Sequence, residues 1–238
     1  MRRFWLSEGG LTVLLASLVL IIFVLRPLAD MGLAGGRVRE LALALVLFAG
    51  AWTVWGGKLR MAIVGLGIGL VEAMRWLYWV TAAPHLAAWA ALGSAALMGL
   101  LIVLVLTRVF QPGPVTRQRV EGAVAAYLLF GLAWAQVYES VEVLAPGAFG
   151  LPKGEIPVGG WFSPLLYFSF VTLTTLGYGD ILPVHPTARS LAMFEALMGQ
   201  LYPAVLIARL VSLQVTGDTG MEATTALGPR EDSRRPLV

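Results

Sequence analysis

Apolar residues gather into six long runs, at about 4–25, 39–56, 61–82, 86–107, 120–144 and 189–215, with short polar or Pro/Gly-bearing breaks between them. Wound as a helix rising ~1.5 Å per residue, each run is long enough to cross a hydrocarbon core of ~30 Å. A shorter apolar segment, Trp161 to Thr174, sits between the fifth and sixth runs. It is too short to cross and return, so it predicts a re-entrant helix. Ser163 suits its N-cap and Pro164 its first helical position. From Pro164 to Thr174 such a helix extends roughly 16 Å. Irregular backbone at that depth is tolerated only where protein or water surrounds it. The pattern predicts an all-α membrane protein with six transmembrane helices and one re-entrant helix between helices five and six.

The breaks divide the chain. Residues 108–119 form a Pro/Gly/Arg linker with Gln111-Pro112-Gly113-Pro114 in its middle. Four spans precede it, over 1–107, and a second unit follows, over 120–215. The polar tail, 216–238, predicts disorder. With the turn after the re-entrant helix on the outer side, Arg2, Arg3, Lys58, Arg60, Arg108, Arg117 and Arg119 all fall inside, as the distribution of basic residues requires. Arg26, Arg37 and Arg39 would fall outside, against that trend. The overall bias places both termini in the cytoplasm.

Composition narrows the classes. The chain has 238 residues, 58% hydrophobic and 13% charged, with a mean hydropathy of +0.79, a multi-span membrane composition. The absence of cysteine excludes disulfides and thiolate metal sites. His85 and His185 each neighbour a proline, and no His/Glu cluster suggests zinc. A net charge of +3 without a long basic run points to no nucleic acid partner. Met1-Arg2-Arg3 ahead of an apolar run is also how a signal peptide begins. This run is long and no small-x-small cleavage site follows, so a retained first span is expected.

The chemistry concentrates in Thr174-Thr175-Leu176-Gly177-Tyr178-Gly179-Asp180, directly after the re-entrant segment. Successive backbone carbonyls point the same way when the chain alternates between left- and right-handed conformations, and glycine visits the left-handed region at little cost. A row of such carbonyls can replace the water around a cation. The run resembles the Thr-Val-Gly-Tyr-Gly filter loop of the potassium-channel superfamily, with Leu176 where valine is usual. The resemblance covers about residues 120–215; for residues 1–107 it rests on span count.

The resemblance implies a selectivity filter at 175–179, with K+ held at Thr175, Leu176, Gly177 and Tyr178, and with the hydroxyl of Thr175 at its inner mouth. Leu176 and Tyr178 would pack behind the filter, and Asp180 would stand at its outer mouth. A pore helix at 163–174 would be wedged by Trp161, Phe162, Tyr167, Phe168 and Phe170, and an inner helix would run over 189–215. Four chains are needed to surround the ion, which implies a homotetramer among membrane lipids in a bacterial inner or plasma membrane. Such a channel conducts K+ passively, is not an enzyme and needs no organic cofactor.

Gly199, 20 residues after Gly179, and Pro203 weaken the last helix and suit a hinge or gate. Close packing against the pore helix is the other reading of Gly199. Gln200, Pro203 and Ile207 would face the cavity. Such channels often brace the filter with a carboxyl in the pore helix. This chain has none there, and Glu195 on the last helix, with Ser169, Thr172 or Thr174 as partner, is the candidate for that support. Glu72 and Arg75 share a helix face, and Arg75 could pair with Glu72 or with Glu139 or Glu142. Gly65 and Gly69 form a GxxxG pair that suggests close packing. The fourth run, Leu86 to Thr107, holds no basic residue, so steep voltage dependence has no source there. A poorly selective cation channel loosened by Leu176 and a non-conducting sensor with a vestigial pore stay open. A transporter subunit is disfavoured, because those carry four loops in one chain.

Overall fold

In the computed structural model of the chain, which describes residues 2–31, 58–111, 113, 115–150 and 162–226, the apolar runs are helices. Helix α1 (Arg2–Leu20) passes through a π-helical turn (Ile21–Leu25) into α2 (Arg26–Asp30). There follow α3 (Lys58–Thr81), α4 (Pro84–Val109), α5 (Arg117–Leu144), α6 (Phe162–Leu173) and α7 (Pro186–Ala226). A minimal antiparallel pair interrupts the all-helical expectation: β1 (Phe149–Gly150) on β2 (Leu182–Pro183), with Phe149 opposite Pro183.

Among the described residues, four segments are long and apolar enough to cross a membrane: Gly10–Ala29, Pro84–Val109, Arg117–Leu144 and Pro186–Ser212. Helix α3 is not among them; it has 24 residues and carries Glu72 and Arg75. The expected second span at 39–56, with Arg37 and Arg39, lies outside the described residues, as do Trp161 and the tail from 227.

Several boundaries differ from expectation. Helix α6 already includes Phe162, ahead of Ser163 and Pro164, and stops at Leu173. Helix α7 starts at Pro186, whose fixed φ suits a first helical position. It continues to Ala226, into the stretch expected to be disordered. The linker shrinks because its ends are capped. The Arg119 guanidinium donates to the carbonyls of Gln111 (2.7 Å) and Gly113 (3.1 Å), and the Thr116 carbonyl accepts the N–H groups of Arg119 and Val120.

Contacts between helices set their directions. Two residues, Ala82 and Ala83, join α3 to α4, and the pair is antiparallel: Gly67 faces Leu97, Gly93 faces Val71, and Arg75 donates to Ser94 Oγ at 2.8 Å. The short linker makes α4 and α5 antiparallel too, with Val109 against Gly122. Helix α1 runs parallel to α5, because Leu11 also lies over Gly122 and the Thr12 hydroxyl donates to Glu121. The starts of α1, α3 and α5 therefore share one end of the bundle, and Met31 lies at the other.

The main core joins α1 (Leu14, Leu18), α4 (Met98, Val105), α5 (Leu129, Leu132) and the start of α6 (Phe162, Leu166). Small residues let these backbones approach, as membrane helices require when lipid offers no hydrophobic contrast. Among the described residues a Cβ at Gly65 or Gly69 would meet nothing within 4 Å, while one at Gly67 would lie 2.7 Å from Leu97. Helical phase decides this: Gly67 is the glycine turned towards α4. Arg75 pairs with Glu72 at 3.3 Å. Glu142, another of the three candidates, accepts the N–H groups of Gly147 (2.8 Å) and Phe149 (3.0 Å), closing the turn after α5.

Gly131 shows how tight the α5–α6 seam is, for a Cβ there would sit 2.5 Å from Phe170 Cζ. Gly131→Ala is expected to cost about 1–3 kcal/mol through overpacking. A lowered melting temperature of the detergent-purified protein is the measurement that checks it.

Candidate functional site

Helix α6 ends in a Schellman motif. The Thr175 N–H donates to the Thr172 carbonyl (2.9 Å) and the Leu176 N–H to the Val171 carbonyl (2.9 Å). This places Thr175 in the left-handed position that glycine usually fills, at φ 59°. A β-branched residue is strained there. Val171 also accepts the Gly177 N–H (3.2 Å), and Phe170 accepts both the N–H (3.0 Å) and the hydroxyl (2.6 Å) of Thr174. The Leu173 carbonyl takes the Tyr127 hydroxyl from α5 at 3.1 Å. All four C-terminal carbonyls of α6 are thus used, although a helix end leaves them without helical partners.

Beyond this cap the backbone alternates. Positive φ recurs at Thr175 (59°), Gly177 (58°) and Gly179 (76°), while Leu176 and Tyr178 between them are not in that region. Among the described residues, none of the carbonyls from Thr174 to Tyr178 accepts a hydrogen bond. The whole stretch from Thr174 to Asp180 is exposed on the single chain. The alternation expected of a cation-binding row of carbonyls is therefore present, and the row is free of internal donors.

Three contacts hold this segment from behind. Gly199 of α7 lies against the end of α6, and a Cβ there would fall 1.8 Å from the Leu173 carbonyl oxygen. The α6–α7 crossing therefore admits only glycine at that point. Glu195, fully buried, accepts the Tyr138 hydroxyl of α5 on Oε2 at 2.5 Å. The Ser169 hydroxyl of α6 lies 2.5 Å from Glu195 Oε1 and 2.9 Å from the Gly131 carbonyl. With one proton it donates to one of them at a time. The Tyr138 ring sits edge-on to Phe149 (5.3 Å) and Phe168 (5.2 Å), which fixes the direction of its hydroxyl. At the far end, Asp180 accepts the Ile181 N–H (3.0 Å) and the Tyr167 hydroxyl, and the Tyr167 ring stacks on Tyr178 at 6.5 Å.

The structure thus brings Glu195 to Ser169 and not to Thr172 or Thr174. Thr174 bonds its own helix, so it supports the segment only through the α6 cap. Gln200 and Ile207 are exposed on α7, and Pro203 beside them is half-buried. Tyr127, Tyr138 and Asp180's partner bond at Tyr167 were not legible as functional in the sequence. Nothing local marks a tyrosine whose partner is 46 or 57 residues away.

The family profile described as ion channel matches residues 125–215. Protein LctB of Bacillus caldotenax is 32% identical over 90 residues, covering 36% of this chain and 64% of that protein. Protein LctB of Geobacillus stearothermophilus is 36% identical over 83 residues, covering 34% of this chain and 60% of that protein. The inward rectifier potassium channel Kirbac3.1 of Paramagnetospirillum magnetotacticum is 34% identical over 77 residues, covering 32% of this chain and 22% of that protein. The chain therefore spans less than two thirds of the length of these curated relatives. No solved structure matches.

Removing the Glu195 carboxylate leaves the Tyr138 hydroxyl buried without an acceptor, a loss of about 1–3 kcal/mol before any cavity cost. Ser169 keeps Gly131 as partner. Thermal unfolding in detergent should rank Glu195→Ala as the most destabilised, with Glu195→Gln and Tyr138→Phe each closer to about 1 kcal/mol.

Proposed function

Because residues 125–215 belong to the potassium-channel superfamily, we propose that this chain is a potassium-selective channel that conducts K+ passively across the cell membrane as a homotetramer. The observation that carries the reading is the recurrence of positive φ at Thr175, Gly177 and Gly179 beside a row of carbonyls with no internal donor. Carbonyls in that state can take the place of a cation's hydration shell. K+ would be held at Thr175, Leu176, Gly177 and Tyr178. Asp180, oriented by Tyr167, would draw cations to the outer mouth.

One chain supplies one side of such a filter, which calls for four. The surface of α7 supports this. Met193, Leu197, Leu201 and Val205 form an exposed apolar stripe beside the filter segment, and the side chains of Leu176 and Tyr178 are also exposed. Neighbouring copies would cover these groups, leaving Gln200, Pro203 and Ile207 to line the cavity. Gly199 and Pro203 stay candidates for the place where the inner helix bends. Six crossings with both termini cytoplasmic agree with Met31 and Lys58 lying at opposite ends of the bundle. They also agree with Arg108, Arg117 and Arg119 sharing the end where α3 starts. Weak or absent voltage gating follows from the lack of basic residues inside Leu86 to Thr107. The exposed Leu176, in place of the usual valine, favours one other reading, a poorly selective cation channel.

Purified protein in liposomes should pass K+ far faster than Na+, with little dependence on applied voltage. Gly177→Ala and Gly179→Ala each place a Cβ at positive φ, which costs roughly 1–2 kcal/mol, and should abolish flux while leaving the tetramer intact by size. Equal K+ and Na+ flux would select the poorly selective reading. Alanine variants that still conduct would remove the filter from the segment altogether.

A further inference from the structure

Arg26 breaks the expected distribution of basic residues, and the structure gives it a place. It opens α2 directly after the π-helical turn Ile21–Leu25. Its guanidinium carbon stands 5.0 Å from the centroid of the Phe162 ring. Phe162 is buried and is the first residue of α6, the helix that leads into the filter segment. A guanidinium over an aromatic face is attracted by the ring quadrupole, and more strongly where water is excluded. Arg26 lies within the apolar segment Gly10–Ala29, where a charge is costly against lipid and is normally turned to protein.

The rest of the first helix is arranged to hold that contact. At the opposite end, Thr12 donates to Glu121 and Leu11 lies over Gly122, both on α5. Between the two anchors Leu14, Leu18, Ile21 and Ile22 are buried in the main core. A π-helical turn takes up one residue more than an α turn, so it rotates every later side chain about the axis. The turn at Ile21–Leu25 therefore decides which way Arg26 points. Helix α6 is short, 12 residues, so a displacement at Phe162 is carried to Leu173 and to the carbonyl row beyond it.

We propose that Arg26 is a positioning residue for α6. By stacking on Phe162 it fixes where that helix begins and thereby where the filter lies, so the first helix is a member of the pore unit and not of a separable front domain. The proposal rests on the channel reading for its ion-selectivity readout.

The test uses full-length wild type, Arg26→Lys, Arg26→Ala, Phe162→Leu and the double variant Arg26→Ala/Phe162→Leu. Each is measured for its K+/Na+ flux ratio in liposomes and for its melting temperature in detergent. Arg26→Ala and Phe162→Leu should each lower the flux ratio, by roughly threefold to tenfold, between the scales of an exposed and a fully desolvated cation–π contact. The double variant should fall no further than either single change, and Arg26→Lys should recover most of the loss. A merely structural contact would lower melting temperatures but leave the flux ratio of the assembled channels unchanged, and that result would overturn the proposal. Fully additive effects of the two single changes would also overturn it. If wild type does not discriminate K+ from Na+, it is the channel reading that fails. The coupling is then judged from the melting shifts alone, which need no conduction: non-additive shifts retain it and additive shifts reject it.

Discussion

A row of backbone carbonyls without donors is the constraint around which this chain is organised. In a membrane an unsatisfied backbone group costs several kcal/mol, because no water is at hand to replace the missing bond. Helix α6 avoids that cost at its own end, where Thr174, Thr175, Leu176, Gly177 and Tyr127 between them satisfy its last four carbonyls. The bare row begins immediately afterwards, at Thr174. Among the described residues no donor partners it, which leaves the row available to water or a cation.

Holding such a row open requires a rigid frame, and the frame is made of contacts from three helices. Helix α5 supplies two tyrosine hydroxyls, Tyr127 to the Leu173 carbonyl and Tyr138 to Glu195. Helix α7 supplies Gly199 and the Glu195 carboxylate, and α6 supplies Ser169 and Tyr167. Burying a carboxyl group is tolerable only when its oxygens have polar neighbours, and here a hydroxyl lies within hydrogen-bond distance of each. The aromatic cluster of Tyr138, Phe149 and Phe168 keeps one of those hydroxyls aimed. The small β1–β2 pair ties the chain before α6 to the chain after Asp180.

The burial of the helices is uneven in an informative way. Helices α4 and α5 are partly buried within the single chain, 39% and 50% of their apolar stretches, while the apolar part of α7 is almost wholly exposed, at 11% buried. On the proposed channel reading, neighbouring copies would cover that face. The first helix shares the main core with α4, α5 and the start of α6.

The sequence by itself determined the helical membrane class, the short apolar helix before the glycine-rich run, and the alternating segment Thr174 to Asp180, because these depend on local features: apolar run length, a proline near a helix start, and glycines at alternate positions. It did not mark the exact ends of helices, since α6 takes in Phe162 before its apparent cap and α7 runs on to Ala226. Nor could it choose among partners. Glu195 had three hydroxyls in reach by sequence reasoning, and the structure selected Ser169 and added Tyr138, which no local pattern points to. Among the described residues Gly67 makes the close contact with α4, because helical phase and the position of the neighbouring helix decide which glycine faces it. Arg26, an anomaly when basic residues are counted along the chain, became a contact of Phe162 only once α1 was laid beside α5. The division follows range: backbone conformation within a few residues is encoded where it occurs, whereas hydrogen-bond and ring partners far apart in the chain are set by how whole helices pack.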